Sequence, residues 1–279
     1  MDMLAAIRNR ISVRSYSDRD VDSTALEQLL RFAGSAPHLT DTPPRVALIN
    51  GVEAVSDVLT FMIGSYGLVL NAPHLLVGVV SQESEEARTG LGYLLEQVVL
   101  EATRLDLGTC WITGTYDADR AGNALGLTSD EVAAAVCALG YPAEEGLGNL
   151  HTRLVRRLAR GHKRKPPTEI VFSRRWGTPW SPKDVDPALV NVLEYARLAP
   201  SAGNGQPWRF VVDGNRLALA LVRPSFIDAG IVMSHATVAA MAAPRDGGWE
   251  LRLRDPELAR AYNLPRRVIP VGTFEFFGR

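Results

Sequence analysis

The chain has 279 residues, 46% of them hydrophobic and 22% charged, and its formal net charge at pH 7 is −1. This is the composition of a globular protein with one large core or two smaller ones, and the small net charge argues against a dedicated nucleic-acid binder. No apolar run reaches the roughly 20 residues of a membrane-spanning helix, and residues 1–12 lack a signal-peptide pattern. We therefore expect a cytoplasmic protein whose partners are small molecules rather than membranes or nucleic acids.

Helices and short apolar strands are predicted to alternate along the first half of the chain. Residues 23–35 have the apolar spacing of a helix, with Ser23 as its N-cap. The next predicted elements are a strand, a helix, a strand, a long and mostly apolar helix, and a strand, at 45–50, 54–66, 74–80, 87–106 and 108–114. Residues 129–140 are predicted to be a helix that runs into a strand. The segment 151–175 contains nine Lys or Arg residues and a Pro-Pro pair, which indicates an extended basic connector.

The chain lacks the residue spacings of a metal site or a catalytic triad. Its five histidines and two cysteines form no HxxxH or CxxC pattern. It also lacks a GxSxG elbow, a Walker loop and a GxGxxG segment after a strand. Cys110 and Cys137 lie in apolar stretches and are interpreted as buried, reduced thiols. We predict no metal, and any redox cofactor must be bound by other means.

The second half of the sequence resembles the first. Residues 21–37 (VDSTALEQLLRFAGSAP) match 185–200 (VDPALVNVLEYARLAP), and the loops that follow keep an offset of 163 positions. Further along, 92–102 (GYLLEQVVLEA) matches 230–240 (GIVMSHATVAA). Matches that recur in the same order indicate an internal duplication.

The final pair of matching segments supports the same interpretation. Residues 117–142 resemble a shortened version at 255–274. We predict two diverged copies of one α+β unit, the first at 1–166 with the basic connector and the second, trimmed copy at 167–279. The alternative is a single domain without a repeat, because each matched segment is short.

Two polar segments carry patterns that suit ligand binding. RNRISVRSY at 8–16 and APSAGNGQPWRFVV at 199–212 resemble the two signatures of the nitroreductase family, whose members bind FMN between the subunits of a homodimer. Residues 70–80 and 96–114 are similar to the family's middle strand, long helix and following strand. Residues 139–142 and 163–172 are similar to its C-terminal strand and basic tail. The resemblance covers most of the chain and implies a nitroreductase-like three-layer α/β/α sandwich.

The distribution of the two signatures departs from the family pattern. The resemblance implies a composite flavin site, with an Arg-x-Ser-x-Arg segment from one subunit and a Pro-Ser-x-x-Asn loop from the other. In this chain the first signature is complete only in the first half; the second half has at the same positions Arg174, Trp176 and Thr178. The second signature is complete only in the second half; the first half has instead His38, Asp41 and Pro43. We therefore predict a monomer that acts as a pseudodimer and holds one FMN.

By resemblance, the first signature binds the two ends of the flavin. Arg10 would hold the FMN phosphate, and Ser12 and Arg14 would reach the pyrimidine edge and the ribityl chain, because a guanidinium offers a planar fork of donors. A cation near N1 and C2=O stabilises the reduced flavin, so Arg14 would tune its redox potential. The alternative interpretation is a solvated turn between a helix and a strand.

The second signature would close the site from the other half. Pro200 ends a helix and Gly203 permits a positive φ, while Ser201, Asn204 and Gln206 would contact the flavin. The alternative is a helix C-cap followed by a tight turn, for which these residue types are also typical.

Two further segments are assigned to the flavin by resemblance. Any of Lys163, Arg164 and Lys165 would meet the phosphate, although basic residues also occur in solvated linkers. A backbone N–H at Thr113 or Gly114 would face flavin N5.

These assignments predict an FMN-dependent oxidoreductase. NAD(P)H would pass hydride to flavin N5 and leave, and a flat acceptor such as a nitroaromatic or a quinone would take its place. No side chain is assigned a catalytic role, because the chemistry belongs to the flavin. The alternatives are a protein that stores or sequesters FMN without turnover and a relic that no longer binds flavin; the retention of one complementary pair of signatures argues against the relic.

Overall fold

The structure is a computed structural model that describes residues 1–59, 69–112, 116–143 and 163–277. In this part of the chain the α-helices, labelled α1 to α9, are Met3–Asn9, Ser23–Ser35, Val52–Val58, Glu85–Arg104, Ala118–Leu125, Pro167–Ile170, Pro187–Ala196, Phe226–Ala240 and Pro256–Ala261. The strands, labelled β1 to β9, are Arg45–Asn50, His74–Val80, Gly108–Ile112, Val132–Gly140, Val171–Ser173, Trp208–Asp213, Arg216–Leu221, Gly247–Leu251 and Ile269–Phe276.

The first sheet is antiparallel, with strand order β1-β2-β4-β3. Alternate side chains of a strand point to opposite faces, so β2 contributes Leu75 and Val77 to one core and Leu76 and Val80 to another. The first core includes residues of α3 and α5, and the second includes residues of α2 and α4. Helices therefore cover both faces of this sheet.

The second sheet repeats this strand order and adds one edge strand. Its order is β5-β6-β7-β9-β8, with β5 parallel to β6 and the other pairs antiparallel. Residues of α7 and α8 pack on one face, and residues of α9 pack on the other. The three-layer α/β/α arrangement thus occurs twice in the described residues, and the predicted α+β fold class is confirmed.

The two helices α4 and α8 cross where each carries a glycine. A Cβ added to Gly92 would lie 2.1 Å from the carbonyl oxygen of Ile227, and a Cβ added to Gly230 would lie 2.0 Å from that of Thr89. Gly92 and Gly230 are 138 positions apart, as are Thr89 and Ile227. The two close contacts are therefore reciprocal, as in the interface of a two-fold symmetric dimer.

The structure corrects several local predictions. The cap of α2 is Asp22, whose carboxylate accepts from the backbone N–H of Thr24, so Ser23 is the first helical residue and not the cap. The helix predicted within 129–140 is wrong, since this segment holds strand β4, which pairs with β2 on one side and β3 on the other.

The two remaining differences concern segments that are only partly described. Of the helix predicted at 54–66, residues up to Val58 belong to α3. Within the basic connector, residues 167–173 form α6 and β5 rather than an extended linker. Among the described helices, none has the length and hydropathy needed to cross a membrane.

Candidate functional site

Arg10 carries a buried hydrogen-bond donor that is not used. It follows α1, and its side chain is 5% exposed. The guanidinium Nε lies 3.9 Å from Oε1 of Glu96 on α4, whereas Nη1 has no hydrogen-bond partner among the described residues. Because leaving a buried N–H unpaired costs free energy, this nitrogen is well suited to an anionic ligand.

The carboxylate beside Arg10 is held by a buried network. Glu96 is fully buried and accepts from Trp111 Nε1 at 2.6 Å. Its other oxygen lies 2.8 Å from Nε2 of the buried His235 on α8. Nδ1 of His235 lies 3.3 Å from the carbonyl oxygen of Tyr195, which can only accept, so Nδ1 carries a hydrogen. The network joins α4 to α8 and fixes Glu96 next to Arg10.

Sequence reasoning missed Glu96 and His235, although both were visible as polar residues within mostly apolar helical segments. A charged residue is rarely buried without a partner, so a Glu in LLEQVVL and a His in VMSHATV were signals of a polar pair. The sequence did not show that the two would meet.

Ser12 and Arg14 lie on the extended segment that follows Arg10. The backbone N–H of Val13 donates to the Thr109 carbonyl at 2.8 Å, and the N–H of Leu70 donates to the Arg14 carbonyl at 2.8 Å. The side chains of Ser12 and Arg14 are partly exposed, and within the described parts of the chain neither makes a hydrogen bond or an ion pair. The first signature therefore presents a hydroxyl and two guanidinium groups with unused donors.

The loop of the second signature has an unusual backbone. Gly203, Asn204 and Gln206 have φ values of 57°, 53° and 45°, so the predicted positive φ at Gly203 is confirmed. Positive φ is uncommon for residues other than glycine, and the loop is supported from within by Ser201, whose Oγ accepts from the backbone N–H of Gln206 at 2.9 Å.

Asp228 on α8 accepts a hydrogen bond from the backbone of this loop. Sequence reasoning did not identify this residue. It is 3% exposed; one carboxylate oxygen accepts from the backbone N–H of Ala202 at 3.1 Å and the other from Ser225 Oγ at 2.6 Å. Burial raises the pKa of Asp228, so its surroundings disfavour the charged form despite these hydrogen bonds. The residue 138 positions earlier is Gly90, which has no side chain to support the first-half loop.

The Asp228→Ala variant should lose about 1–3 kcal/mol of unfolding free energy, since two donors would lose their buried acceptor. Asp228→Asn should stay close to the wild type at pH 7, because the amide oxygen can accept from Ala202 and no charge is buried. Urea denaturation of both variants measures the difference. A raised carboxyl pKa destabilises the fold as pH rises through the window between the unfolded and folded pKa values, so Asp228→Asn should flatten this part of the stability curve. Equal losses in both variants would contradict the role of Asp228 as an acceptor.

The structure brings the basic tail and the second signature together. The backbone N–H of Lys165 donates to Gln206 Oε1 at 2.7 Å, and Asn204 Nδ2 donates to the Lys163 carbonyl at 2.9 Å. Arg164 Nη1 donates to Asn204 Oδ1 at 3.0 Å. The amides of Asn204 and Gln206 thus hold the tail in place, and their contact with a ligand stays a prediction.

A shared core connects the two signatures. Ala6 and Ile7, which precede Arg10, pack in the same hydrophobic cluster as Ala199, which precedes Pro200. The guanidinium of Arg8 also lies 4.9 Å from the centre of the Tyr195 ring. The end of α1 and the start of the loop therefore pack against the same hydrophobic core, although they are far apart in the sequence.

The positions that correspond in the opposite halves have different surroundings. In the first-half loop, His38, Asp41 and Pro43 are all exposed, whereas Gln206 in the second-half loop is 4% exposed.

In the second half, Arg174, Trp176 and Thr178 form a turn beside β5. The backbone N–H of Arg174 donates to Val212 at 2.7 Å, that of Thr178 donates to Arg175 at 3.2 Å, and the Trp176 ring packs 4.8 Å from that of Phe172. These residues pack on their own sheet.

Three other predictions concern residues near this site. Thr113 and Gly114 lie outside the described residues. Cys110 and Cys137 are buried, as interpreted from the sequence, and burial raises the pKa of both thiols. Within the described ranges, no group of three or more His, Cys, Asp or Glu residues is placed to hold a metal ion.

Comparison with known proteins identifies the family. The model of the family described as "Putative TM nitroreductase" matches residues 2–240. This match spans most of the chain, and the protein therefore belongs to that family. It is a member of a nitroreductase family of oxidoreductases, enzymes that act on small-molecule substrates.

The chain is also similar to individual proteins. A "Putative NADH dehydrogenase/NAD(P)H nitroreductase" from Methanothermobacter thermautotrophicus is 29% identical over 154 residues, which are 52% of this chain and 79% of the relative. The crystal structure of a "putative nitroreductase" from Thermotoga maritima superposes with a TM-score of 0.61 at 20% identity, covering 99% of this chain and 93% of the other, and shows that the fold is shared. An "FMN-dependent Nitroreductase" from Clostridium difficile gives a TM-score of 0.45 at 21% identity, over 50% of this chain and 88% of its own.

Proposed function

We propose that the protein is an FMN-dependent NAD(P)H oxidoreductase with one composite flavin site per chain. The observation that carries the proposal is Nη1 of the buried Arg10 side chain, which has no hydrogen-bond partner among the described residues. Arg10 follows α1, and α1 packs in the hydrophobic cluster that also contains Ala199, the first residue of the second signature. A buried cation with an unused donor suits an anionic group, and the FMN phosphate is one.

The donor set of the first signature fits the rest of the flavin. Ser12 and Arg14 offer a hydroxyl and a guanidinium without partners among the described residues, and these suit ribityl hydroxyls and the carbonyls of the pyrimidine edge. When bound, FMN would supply the redox chemistry that moves hydride from NAD(P)H to a flat acceptor such as a nitroaromatic or a quinone.

The chain's own residues would bind and orient the cofactor. Arg10 would hold the phosphate, with a second cation from the tail at Lys163 or Arg164. Arg14 would favour negative charge on the pyrimidine ring by placing a positive charge near it. The backbone of the loop from Pro200 to Gln206, shaped by its positive φ values, would bring N–H groups close to the ligand.

The proposal assigns one part of the flavin site to each half of the chain. The common strand order of the two sheets and the reciprocal glycine contacts of α4 and α8 support two copies, at 1–166 and 167–279, that associate as a family dimer does. The complete signatures then meet in one place, while Arg174, Trp176 and Thr178 would face the exposed first-half loop without forming a second site.

An absorbance titration of the purified protein with FMN, followed by anaerobic addition of NADH or NADPH, tests this function. We expect stoichiometric uptake of one flavin per chain and bleaching of its visible absorbance by at least one nucleotide. The absence of uptake would contradict the proposal. Uptake without bleaching by either nucleotide would instead favour a protein that stores or sequesters FMN.

A further inference from the structure

Three cationic residues contact the second-signature loop, and each is at least partly exposed to solvent. The backbone N–H of Lys165 donates to the Gln206 side chain at 2.7 Å, which fixes the main chain of this lysine beside the loop. Arg209 Nη1 donates to the carbonyls of Gln206 at 3.2 Å and Trp208 at 2.7 Å. Arg223 Nη2 donates to the Ala202 carbonyl at 3.3 Å.

The guanidinium of Arg223 lies against the loop because Gly205 has no side chain. A Cβ added to Gly205 would lie 2.0 Å from Arg223 Nη2. Lys165, Arg209 and Arg223 therefore all contact residues between 202 and 208, and we call them the loop cations.

The loop cations are not held in close ion pairs with carboxylates of the described residues. None of the three forms an ion pair within 4.0 Å in the described part of the chain. The pKa of Lys165 is lowered by burial first, then by the charge of Arg209 and, more weakly, of Arg223, while Glu169 acts in the opposite direction. The nearby acids are Glu169, which is exposed, and Asp228, which is buried and already bonded to the loop.

The loop cations are more exposed to solvent than the side chain of Arg10. The side chain of Arg10 is 5% exposed, which suits a cofactor that stays bound. Arg223 is exposed, and Lys165 and Arg209 are partly so, which suits a ligand that arrives from solvent and leaves again. Of the phosphate-bearing ligands in the proposed reaction, FMN stays bound and the nicotinamide dinucleotide must exchange in every cycle.

We propose that Lys165, Arg209 and Arg223 bind the phosphomonoester that distinguishes NADPH from NADH, so that the protein prefers NADPH as its electron donor. Two guanidinium forks and an ammonium group offer donors for all three terminal oxygens of such a group, and its double negative charge offsets their mutual repulsion. This inference rests on the proposed function, because it concerns the electron donor of the same site.

The Arg223→Gln variant tests this proposal. Glutamine keeps a donor for the Ala202 carbonyl and removes the charge. We expect the KM for NADPH to rise about tenfold, the size of one charge-assisted hydrogen bond, while the KM for NADH and the affinity for FMN stay unchanged. The preference for NADPH should also fall as ionic strength rises. The matched control is Arg216→Gln on β7, an exposed arginine paired with Glu275 at 2.6 Å, which should leave both KM values unchanged.

The possible results separate this inference from the proposed function. Equal KM changes for NADPH and NADH, or no change for either, would overturn the phosphate site. So would a loss of FMN affinity in Arg223→Gln, which would assign the loop cations to the flavin phosphate. If the protein bound no flavin at all, calorimetry with adenosine 2′,5′-bisphosphate and with adenosine 5′-monophosphate would still decide: tighter binding of the bisphosphate, weakened by Arg223→Gln, supports the site, and equal binding of the two overturns it.

Discussion

Gly230→Ala is expected to lower the free energy of unfolding by about 3 kcal/mol, because overpacking of a tight contact forces the backbone apart. The new Cβ would lie 2.0 Å from the carbonyl oxygen of Thr89 and 2.5 Å from the backbone nitrogen of Tyr93. These are backbone atoms of α4, so no side-chain rotation relieves the clash and the two helices must separate. Separation would also disturb the Glu96–His235 contact between the same helices. The midpoint of urea denaturation measures the effect.

Gly34→Ala is the matched control for this substitution. Gly34 lies in α2, and a Cβ there would meet no atom within 4 Å. Alanine is the better helix former by about 0.5–1 kcal/mol, so this variant should be at least as stable as the wild type. A Gly230→Ala protein as stable as Gly34→Ala would show that the crossing of α4 and α8 is looser than the structure indicates.

Arg10→Ala is expected to weaken FMN binding about a hundredfold, because the loss of one buried charged partner costs roughly 2–5 kcal/mol. The variant removes the Nη1 donor, which has no partner in the described part of the chain and is proposed to meet the phosphate. Fluorescence titration with FMN gives the affinity. Arg10→Lys keeps the charge but not the planar fork, so it should restore only part of the affinity.

The control is Arg174→Ala, at the corresponding position of the second half. Arg174 has a positive φ of 61°, which both the native residue and alanine must adopt, so the substitution adds little new strain. We expect unchanged FMN affinity. Equal losses in Arg10→Ala and Arg174→Ala would contradict a single composite site, and unchanged affinity in both would remove Arg10 from the binding site.

Local pattern was sufficient for much of the fold. Apolar runs located β1 and β2. The segment VAAAVCALG of β4 was assigned partly to a helix because alanine favours helices in isolation. Its two neighbours, β2 and β3, supply backbone partners along both edges, and this tertiary pairing overrides the local preference.

The two sequence segments of the site could be predicted, but the hydrogen bonds that connect distant residues of the site could not. The two signatures could be found because each is a short run of consecutive residues. Glu96 and His235 are 139 positions apart and were recognisable only as polar residues in apolar surroundings. The support of Ala202 by Asp228 likewise depends on how α8 is placed under the loop, which no local pattern specifies.

The contact between α4 and α8 has a consequence for how charge can be buried at such an interface. In a homodimer, any residue beside the two-fold axis occurs twice, so a buried carboxylate would have to be matched by a second one across the axis. Here the residues that correspond to Glu96 and His235, at the same 138-position offset, are Ser234 and Gln97, and both are uncharged. The helices are encoded separately within one chain, and the interface therefore carries the acid–imidazole pair once, on the side of Arg10 alone.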